Sequence, residues 1–588
     1  MLNPLPLLLP LLVLQGTSVS DETAERIARV EAGLRPPVLL QGESGWSLEE
    51  RMHHYGVPAV GIAVIDDGQI AWHKVYGKSD AKSGALATTE TLFQAASISK
   101  PLAAMGALKL AAAKGASIDE DVNAKLRGWK LPTNALTEAN PVTLALLLCH
   151  RAGTTVHGFG GYPQGTELPT VPEILDGKGP ANSPAVRVAR APGSEFDYSG
   201  GGYTIAQAWM MDVSGKAFAP LMEELVLGPA GMKSSTYAQP LPNVLHARAA
   251  AGVPPSGVPV PGGWHVYPEQ AAAGLWTTAA DLARLLIEVQ QALQGKSEAL
   301  SQDLAERLVP GDGETIGLGF FTRPREGHIY FGHGGWNEGF SSEMIAHRDA
   351  GYGAVVMTNG NQPALVEEIL QAIRVEYDWA ATKVHVPQPV PEEMLARNAG
   401  RYRFNSEQAI EVRAAGGSLQ LAISKGPATE LAHVGEGVFL HPEEGTEITF
   451  HETSVGLALR AAEMGVFRRL AEGERMPREL LLEGAFDEAL AAYRDLQTKN
   501  GGAEAVAEEA LNNDGYELLG SGRASEAVLL FRINAALYPK SANAWDSLGE
   551  GYRTLGDASR AIEAYEAALK IDSAFPTAIR ALAELKRE

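Results

Sequence analysis

The last part of the chain repeats itself: Gly515, Ala527, Phe531 and Pro539 return thirty-four residues later as Gly549, Ala561, Tyr565 and Ser573. A period of this size marks a unit too small to bury its own apolar face, so it must stack on its neighbours. The residue types say how. Glycine and alanine at fixed places let paired helices approach closely, and the aromatics fill the space between them. A looser third unit, with Ala489 and Tyr493, precedes these two at a slightly longer interval. The pattern predicts an all-α array of helical hairpins over residues 476–588.

Trp545, Leu548, Gly549, Tyr552, Ala561, Tyr565 and Ala568 match the spacing of tetratricopeptide repeats, which this region resembles. The resemblance implies a concave surface for a protein partner. A chain of 588 residues is too long for one hydrophobic core, and about three domains are expected. Val386-Pro387-Gln388-Pro389-Val390-Pro391 reads as a proline-rich linker, taken as residues 386–392. Beyond it, Ala409–Arg413, Ser418–Ser424, Val438–Leu440, Glu447–His451 and Gly456–Arg460 are short alternating segments punctuated by glycines. They predict a small all-β module over residues 393–472, a partial barrel.

At the other end, Leu5 to Leu14 is an apolar run of about half the length that a membrane span needs. Ser18 and Ser20 suit a peptidase site before Asp21, so residues 1–20 read as a signal peptide and the protein as exported, periplasmic or extracellular. No cysteine follows the run, which gives a lipoprotein anchor no support, and no integral membrane segment is expected once the leader is removed. Cys149 stands alone, so no intrachain disulfide can form. A net charge of -22 repels nucleic acid and anionic membrane surfaces alike, and neither is an expected partner.

Residues 21–385 mix strand and helix signals. Val60 to Ile65, the turn Asp66-Asp67-Gly68, and Ile70 to Tyr76 read as a β-hairpin. A long Ala/Leu-rich helix follows over Pro101–Lys114, and another starts at Thr278-Ala279-Ala280-Asp281, read as a capping box. Strands over Phe340–Ala346 and Gly353–Thr358 precede a last helix, Ala364–Trp379. Strands at both ends with helices between predict an α/β (α+β) layout in which distant parts of the chain close one antiparallel sheet.

Serine is a weak nucleophile and needs a base within hydrogen-bond reach. In Ser97-Ile98-Ser99-Lys100, helical spacing puts Lys100 on the face of Ser97. A serine at a helix start also sits beside free amides and the positive end of the dipole. The motif alone is weak, because Ser79-Asp80-Ala81-Lys82 fits it too. That decoy lies in a polar, Gly-bearing loop, whereas Ser97 leads into the long apolar helix; context selects Ser97.

Two further elements follow in order, Tyr198-Ser199-Gly200 and, after the short strand Ile329-Tyr330-Phe331, His333-Gly334-Gly335-Trp336. Together the three resemble the active-site motifs of the serine β-lactamase and penicillin-binding-protein superfamily, in its class C, D,D-peptidase and esterase branch. Val142 to Gly153 and Gly274-Leu275-Trp276-Thr277-Thr278 add to the likeness, which covers about residues 45–380. It implies a β-lactamase-like transpeptidase fold with an acyl-enzyme formed on Ser97, Lys100 as its activating partner and Tyr198 as a phenolate or proton relay. Which of Lys100 and Tyr198 is the base stays open. His333, Gly334 and Gly335 would line the cleft, and the amides of Ser97 and Trp336 would form the oxyanion hole.

Two positions depart from the β-lactam-hydrolysing members. Gly200 stands where an asparagine is usual, which removes a donor and is expected to widen the cleft. His333 stands where a lysine is usual, which weakens the fixed positive charge. Both favour an ester or D-amino-acid peptide over a β-lactam as substrate, with true β-lactamase activity and a non-catalytic receptor as the rivals. No Gly-x-Ser-x-Gly elbow and no His-Glu-x-x-His helix occurs, so neither an α/β-hydrolase nor a metal site is expected, and no cofactor.

Overall fold

The computed structural model describes residues 21–443, 445–454, 456–462, 464–499, 506–520 and 522–586. The expected signal peptide over residues 1–20 lies outside the described residues. The chain forms two compact units. The first comprises residues 21–34, 44–252 and 260–382, and the second residues 35–43, 253–259 and 383–586.

In the first unit, one antiparallel sheet joins the two ends of the domain. Its strands are β1 (Ala59–Asp66), β2 (Gln69–Gly77), β3 (Phe321–Arg325), β4 (His328–Asn337), β5 (Phe340–His347) and β6 (Gly353–Thr358), in the spatial order β2-β1-β6-β5-β4-β3. The pairing of Val60 with Thr358 closes segments about 300 residues apart. Strand β1 is apolar on both faces because both are covered. Ala59, Ala63 and Ile65 join the core beneath the helices α1 (Ser99–Lys114), α2 (Gly200–Ser214) and α3 (Ala279–Leu293). Val60, Ile62 and Val64, pointing the other way, pack with α4 (Pro363–Glu376) and the helices Asp21–Glu31 and Leu48–His54.

Helix α1 is buried nearly all round, as an apolar helix with no polar stripe must be, and ends on left-handed Gly115. The structure corrects the expected cap of α3. The Thr278 hydroxyl does accept the Asp281 amide, but the Asp281 carboxylate does not return to Thr278. It takes the Ser234 amide and the Ser235 hydroxyl, both at 2.8 Å, and pairs with Arg284. Tertiary donors outcompete the local one.

In the second unit, eight strands run as a meander: β7 (Gly400–Arg403), β8 (Ala409–Ala415), β9 (Ser418–Ile423), β10 (Thr429–Gly435), β11 (Val438–Leu440), β12 (Glu447–Thr453), β13 (Gly456–Ala461) and β14 (Gly465–Arg468). A bridge between Tyr402 and Arg469 brings its ends together, so the module is an antiparallel near-barrel around Tyr402, Leu419, Phe439 and Leu459. The proline-rich stretch is held against this sheet: the Gln388 amide donates to the His433 carbonyl at 2.8 Å.

The remainder is helical: α5 (Pro477–Leu482), α6 (Phe486–Thr498), α7 (Glu508–Gly520), α8 (Ala524–Leu537), α9 (Ala542–Thr554), α10 (Ala558–Ile571) and α11 (Pro576–Leu585). The repeat has a physical basis. A Cβ on Gly515 would lie 2.2 Å from the Phe531 ring, and one on Gly549 would lie 2.7 Å from the Tyr565 ring. The same glycine-on-aromatic contact recurs one period apart. No helix among the described residues is long and apolar enough to cross a membrane.

Candidate active site

Ser97 sits in a one-turn 3₁₀ segment, Ala96–Ile98, that runs straight into α1. The segment is pinned on both sides. Phe93–Gln94 pairs with Trp276–Thr277, and the Ala95 amide donates to the Leu275 carbonyl at 2.9 Å. Strand β4 then passes so close that a Cβ on Gly335 would stand 2.2 Å from the Ala95 carbonyl oxygen. Only glycine fits there. Ala96 adopts a left-handed conformation, φ +50°, a strained choice for a residue with a Cβ that these neighbours hold in place.

From the first turn of α1, Lys100 reaches back toward Ser97. Its side chain is buried, with Nζ 2.8 Å from Ser97 Oγ and 2.9 Å from the Ala272 carbonyl. The same nitrogen stands 4.9 Å from the centroid of the Tyr198 ring. The decoy behaves as its context predicts. Ser79 donates to the carbonyls of Ala85 and Leu86 in an exposed loop, and the Lys82 amide, not its side chain, is what Asp80 binds.

Tyr198 immediately precedes Ser199, the N-cap of α2, whose hydroxyl accepts the Gly202 amide at 2.9 Å. The Ser199 amide donates to His150 Nδ1 at 3.0 Å, and the His150 ring stacks on Tyr198 at 4.2 Å. His157, on the loop lining the cleft, lies 4.8 Å from the same ring. Burial, reinforced by Lys100, His333 and His157, holds the His150 imidazole well below its ordinary range.

His333 is buried on β4, 6.3 Å from Tyr198 between ring centroids, and Phe321 packs against both rings. Its pKa is pushed down to about 3, mainly by burial and then by Lys100, so the imidazole is neutral. Where a lysine would carry a fixed charge, this chain has none. Gly334 and Gly335 follow on the same strand, and Trp336 is 55% exposed.

Gly200 corrects an expectation. The missing asparagine does not widen the cleft, because a Cβ at Gly200 would lie 3.0 Å from Phe159 Cε2 and 3.1 Å from the His157 carbonyl. The loop that carries His157 and Phe159 fills the space beside it. Ser97, Lys100, Tyr198, Gly200, His333, Gly334, Gly335 and Trp336 therefore all line one cleft of about 960 Å³ within the first unit. His157, Phe159, Phe321, Arg323 and Glu343 line it too and had no motif to reveal them. Only Glu343 had an available signal, since a tight turn at Glu338-Gly339 places it opposite Gly334. Among the described residues no cluster of three or more His, Cys, Asp or Glu side chains is arranged to hold a metal.

The family model for Beta-lactamase matches residues 47–377, more than half of the chain. The chain belongs to the beta-lactamase family. Among curated proteins it resembles Protein flp of Staphylococcus aureus (strain MW2), with 25% identity over 341 residues, which are 55% of this chain and 64% of flp. The chain thus spans a little under two thirds of flp. The Unguisins hydrolase ungD of Aspergillus violaceofuscus is 23% identical over 449 residues, 63% of this chain and 76% of ungD. Of solved structures, the octameric penicillin-binding protein homologue from Pyrococcus abyssi shows 22% identity and a TM-score of 0.49 over 72% of this chain and 98% of its own. The D-amino acid amidase from Ochrobactrum anthropi SV3 shows 20% identity and a TM-score of 0.46 over 56% and 98%.

Proposed function

We propose that this beta-lactamase-family member is a serine hydrolase that forms an acyl-enzyme on Ser97, with an ester or a D-amino-acid amide or peptide as substrate. The observation that carries the reading is the 2.8 Å contact between buried Lys100 Nζ and Ser97 Oγ. The hydroxyl proton passes to the Lys100–Tyr198 pair as Oγ adds to the substrate carbonyl. The resulting oxyanion is held by the amides of Ser97 and Trp336. Ladder geometry supports the second donor: β4 alternates its amides between its two neighbours, the Ile329 carbonyl faces β5, and β3 ends opposite Gly332. The Trp336 amide, on the β3 side, is thus clear of the ladder. Tyr198 returns the proton to the leaving group, and water then attacks the acyl-enzyme with the same groups acting in reverse.

The neutral His333 speaks against a β-lactam, whose carboxylate would meet no fixed charge there. The name of ungD, a hydrolase, agrees with turnover rather than a receptor role. The helical region is proposed to be a tetratricopeptide-repeat array that docks a protein partner, on the strength of the recurring glycine–aromatic contact.

A fluorophosphonate probe tests the nucleophile: wild type is expected to label and Ser97→Ala not, and equal labelling would sink the reading. Side-by-side rates on short-chain p-nitrophenyl esters, D-amino-acid peptides and nitrocefin test the substrate. Fast nitrocefin turnover alone would overturn the preference.

A further inference from the structure

Beyond Gly332, where β3 ends, the edge of β4 is free, and the cleft bends over it. Side chains alternate along a strand, so His333, Gly335 and Asn337 face Ser97 and α1, while Gly334 and Trp336 face the opposite side. Contacts agree with this. The Gly335 Cβ position meets Ala95, whereas the Gly334 Cβ position lies 2.7 Å from Glu343 Oε2. The cleft therefore has a second chamber, walled by Trp336, by Pro363 and Val366 of α4, and by Glu343 and Arg323.

The charged groups of that chamber are spent on each other. Arg323 Nη2 binds Glu343 Oε1 at 2.9 Å, and Glu367 is paired with Arg374. On the Ser97 side, Asn337 Nδ2 is committed to Gln94 and the Ala273 carbonyl. What the chamber offers a substrate is an indole, largely exposed and one residue beyond the glycine pair, together with exposed Pro363, while Val366 is mostly buried in the wall. An exposed tryptophan at the wall of a cleft is apolar area waiting to be covered.

We infer that Trp336 and Pro363 form a specificity subsite for an aromatic or bulky apolar group flanking the scissile ester or amide bond. The inference rests on the serine-hydrolase reading above and narrows its substrate class. An aromatic ring laid on the indole is desolvated beside the reacting carbonyl, whereas a methyl group in its place leaves the platform wet.

Two substrate pairs test it, one for each side of the bond: p-nitrophenyl acetate against p-nitrophenyl 3-phenylpropionate, and methyl against benzyl thioacetate. Wild type should favour the phenyl-bearing member of at least one pair by about tenfold or more in kcat/KM. Trp336→Ala should abolish that ratio, and Trp336→Phe should keep most of it. Absence of any preference in wild type overturns the inference, and so does a Trp336→Ala loss that is equal on small and large substrates. Both outcomes leave Ser97 labelled by fluorophosphonate. Failure of the hydrolase reading itself would show differently, as no labelling and no turnover, and would take the subsite with it.

Discussion

The imidazole of His150 lies against the ring of Tyr198, with planes 28° from parallel and centroids 4.2 Å apart, while its Nδ1 accepts the amide proton of Ser199. That hydrogen bond requires an unprotonated Nδ1, so the ring proton is on Nε2, which is buried without a partner. His150 thus fixes both the backbone after Tyr198 and the plane of its ring. It touches no reacting atom in the proposed mechanism and acts as a positioning residue. His150→Ala should lower kcat by about ten- to a hundredfold with little change in KM. His150→Asn, whose Oδ1 can take the Ser199 amide, should recover part of the loss. Equal kcat in all three proteins would refute the role.

Lys100 is buried on the cleft wall and held by two oxygens, Ser97 Oγ and the Ala272 carbonyl. Lys100→Met keeps the stem volume and removes the amine. Steady-state kcat should fall by about a hundred- to ten-thousandfold, as expected for loss of a positioned acid–base group. Fluorophosphonate labelling of Ser97 should slow in parallel, with an unchanged circular dichroism spectrum. Undiminished labelling would leave activation of Ser97 to Tyr198.

How much of this site could be read in advance followed the range of the interactions. The Ser97–Lys100 contact is a matter of one helical turn, so residue spacing sufficed. The β1–β2 hairpin was likewise legible, because its Asp66-Asp67-Gly68 turn is local. Gly200 shows the limit: residue identity tells which side chain is missing but not that Phe159 lies against its place. Asp281 shows the same, because a local capping pattern says nothing of Ser234 and Ser235 arriving from elsewhere. Strand β10, Thr429–Gly435, carries little strand signal of its own, because its short apolar stretch is interrupted by His433. Its place in the near-barrel is fixed by β9 and β11.

His333 carries a prediction about acid. Its folded pKa is pushed down to about 3, while the unfolded imidazole titrates near 6.5. Between those values the unfolded chain binds a proton that the folded chain refuses, so stability falls as pH drops. The loss from this one group should reach about 2 kcal/mol by about pH 5. Glu269 has the opposite sign, since burial pushes its carboxyl up to about 7 and the folded form therefore loses stability as pH rises from about 4.5. Comparing His333→Gln with wild type at each pH cancels that contribution. The difference between their urea midpoints should move in favour of the variant on going from neutral pH to about pH 5, and a constant difference would refute the neutral imidazole.

In the second unit, Arg478 of α5 places its guanidinium between Glu407, from the turn joining β7 to β8, and Asp514 of α7. Arg478 and Glu407 side chains are 7% and 6% exposed, so this is a buried pair linking the near-barrel to the helices. Burial raises the Glu407 carboxyl and Arg478 opposes that rise. Arg478→Met therefore strands a carboxylate away from water and should cost about 3–5 kcal/mol. Arg478→Met with Glu407→Gln removes both charges and should recover most of that loss, because the desolvation cost disappears with the pair. Protease susceptibility between residues 470 and 500 reports the joint directly: high in the single variant, near wild type in the double. A double variant as labile as the single one would mean that the arginine acts through Asp514 or its packing rather than through Glu407.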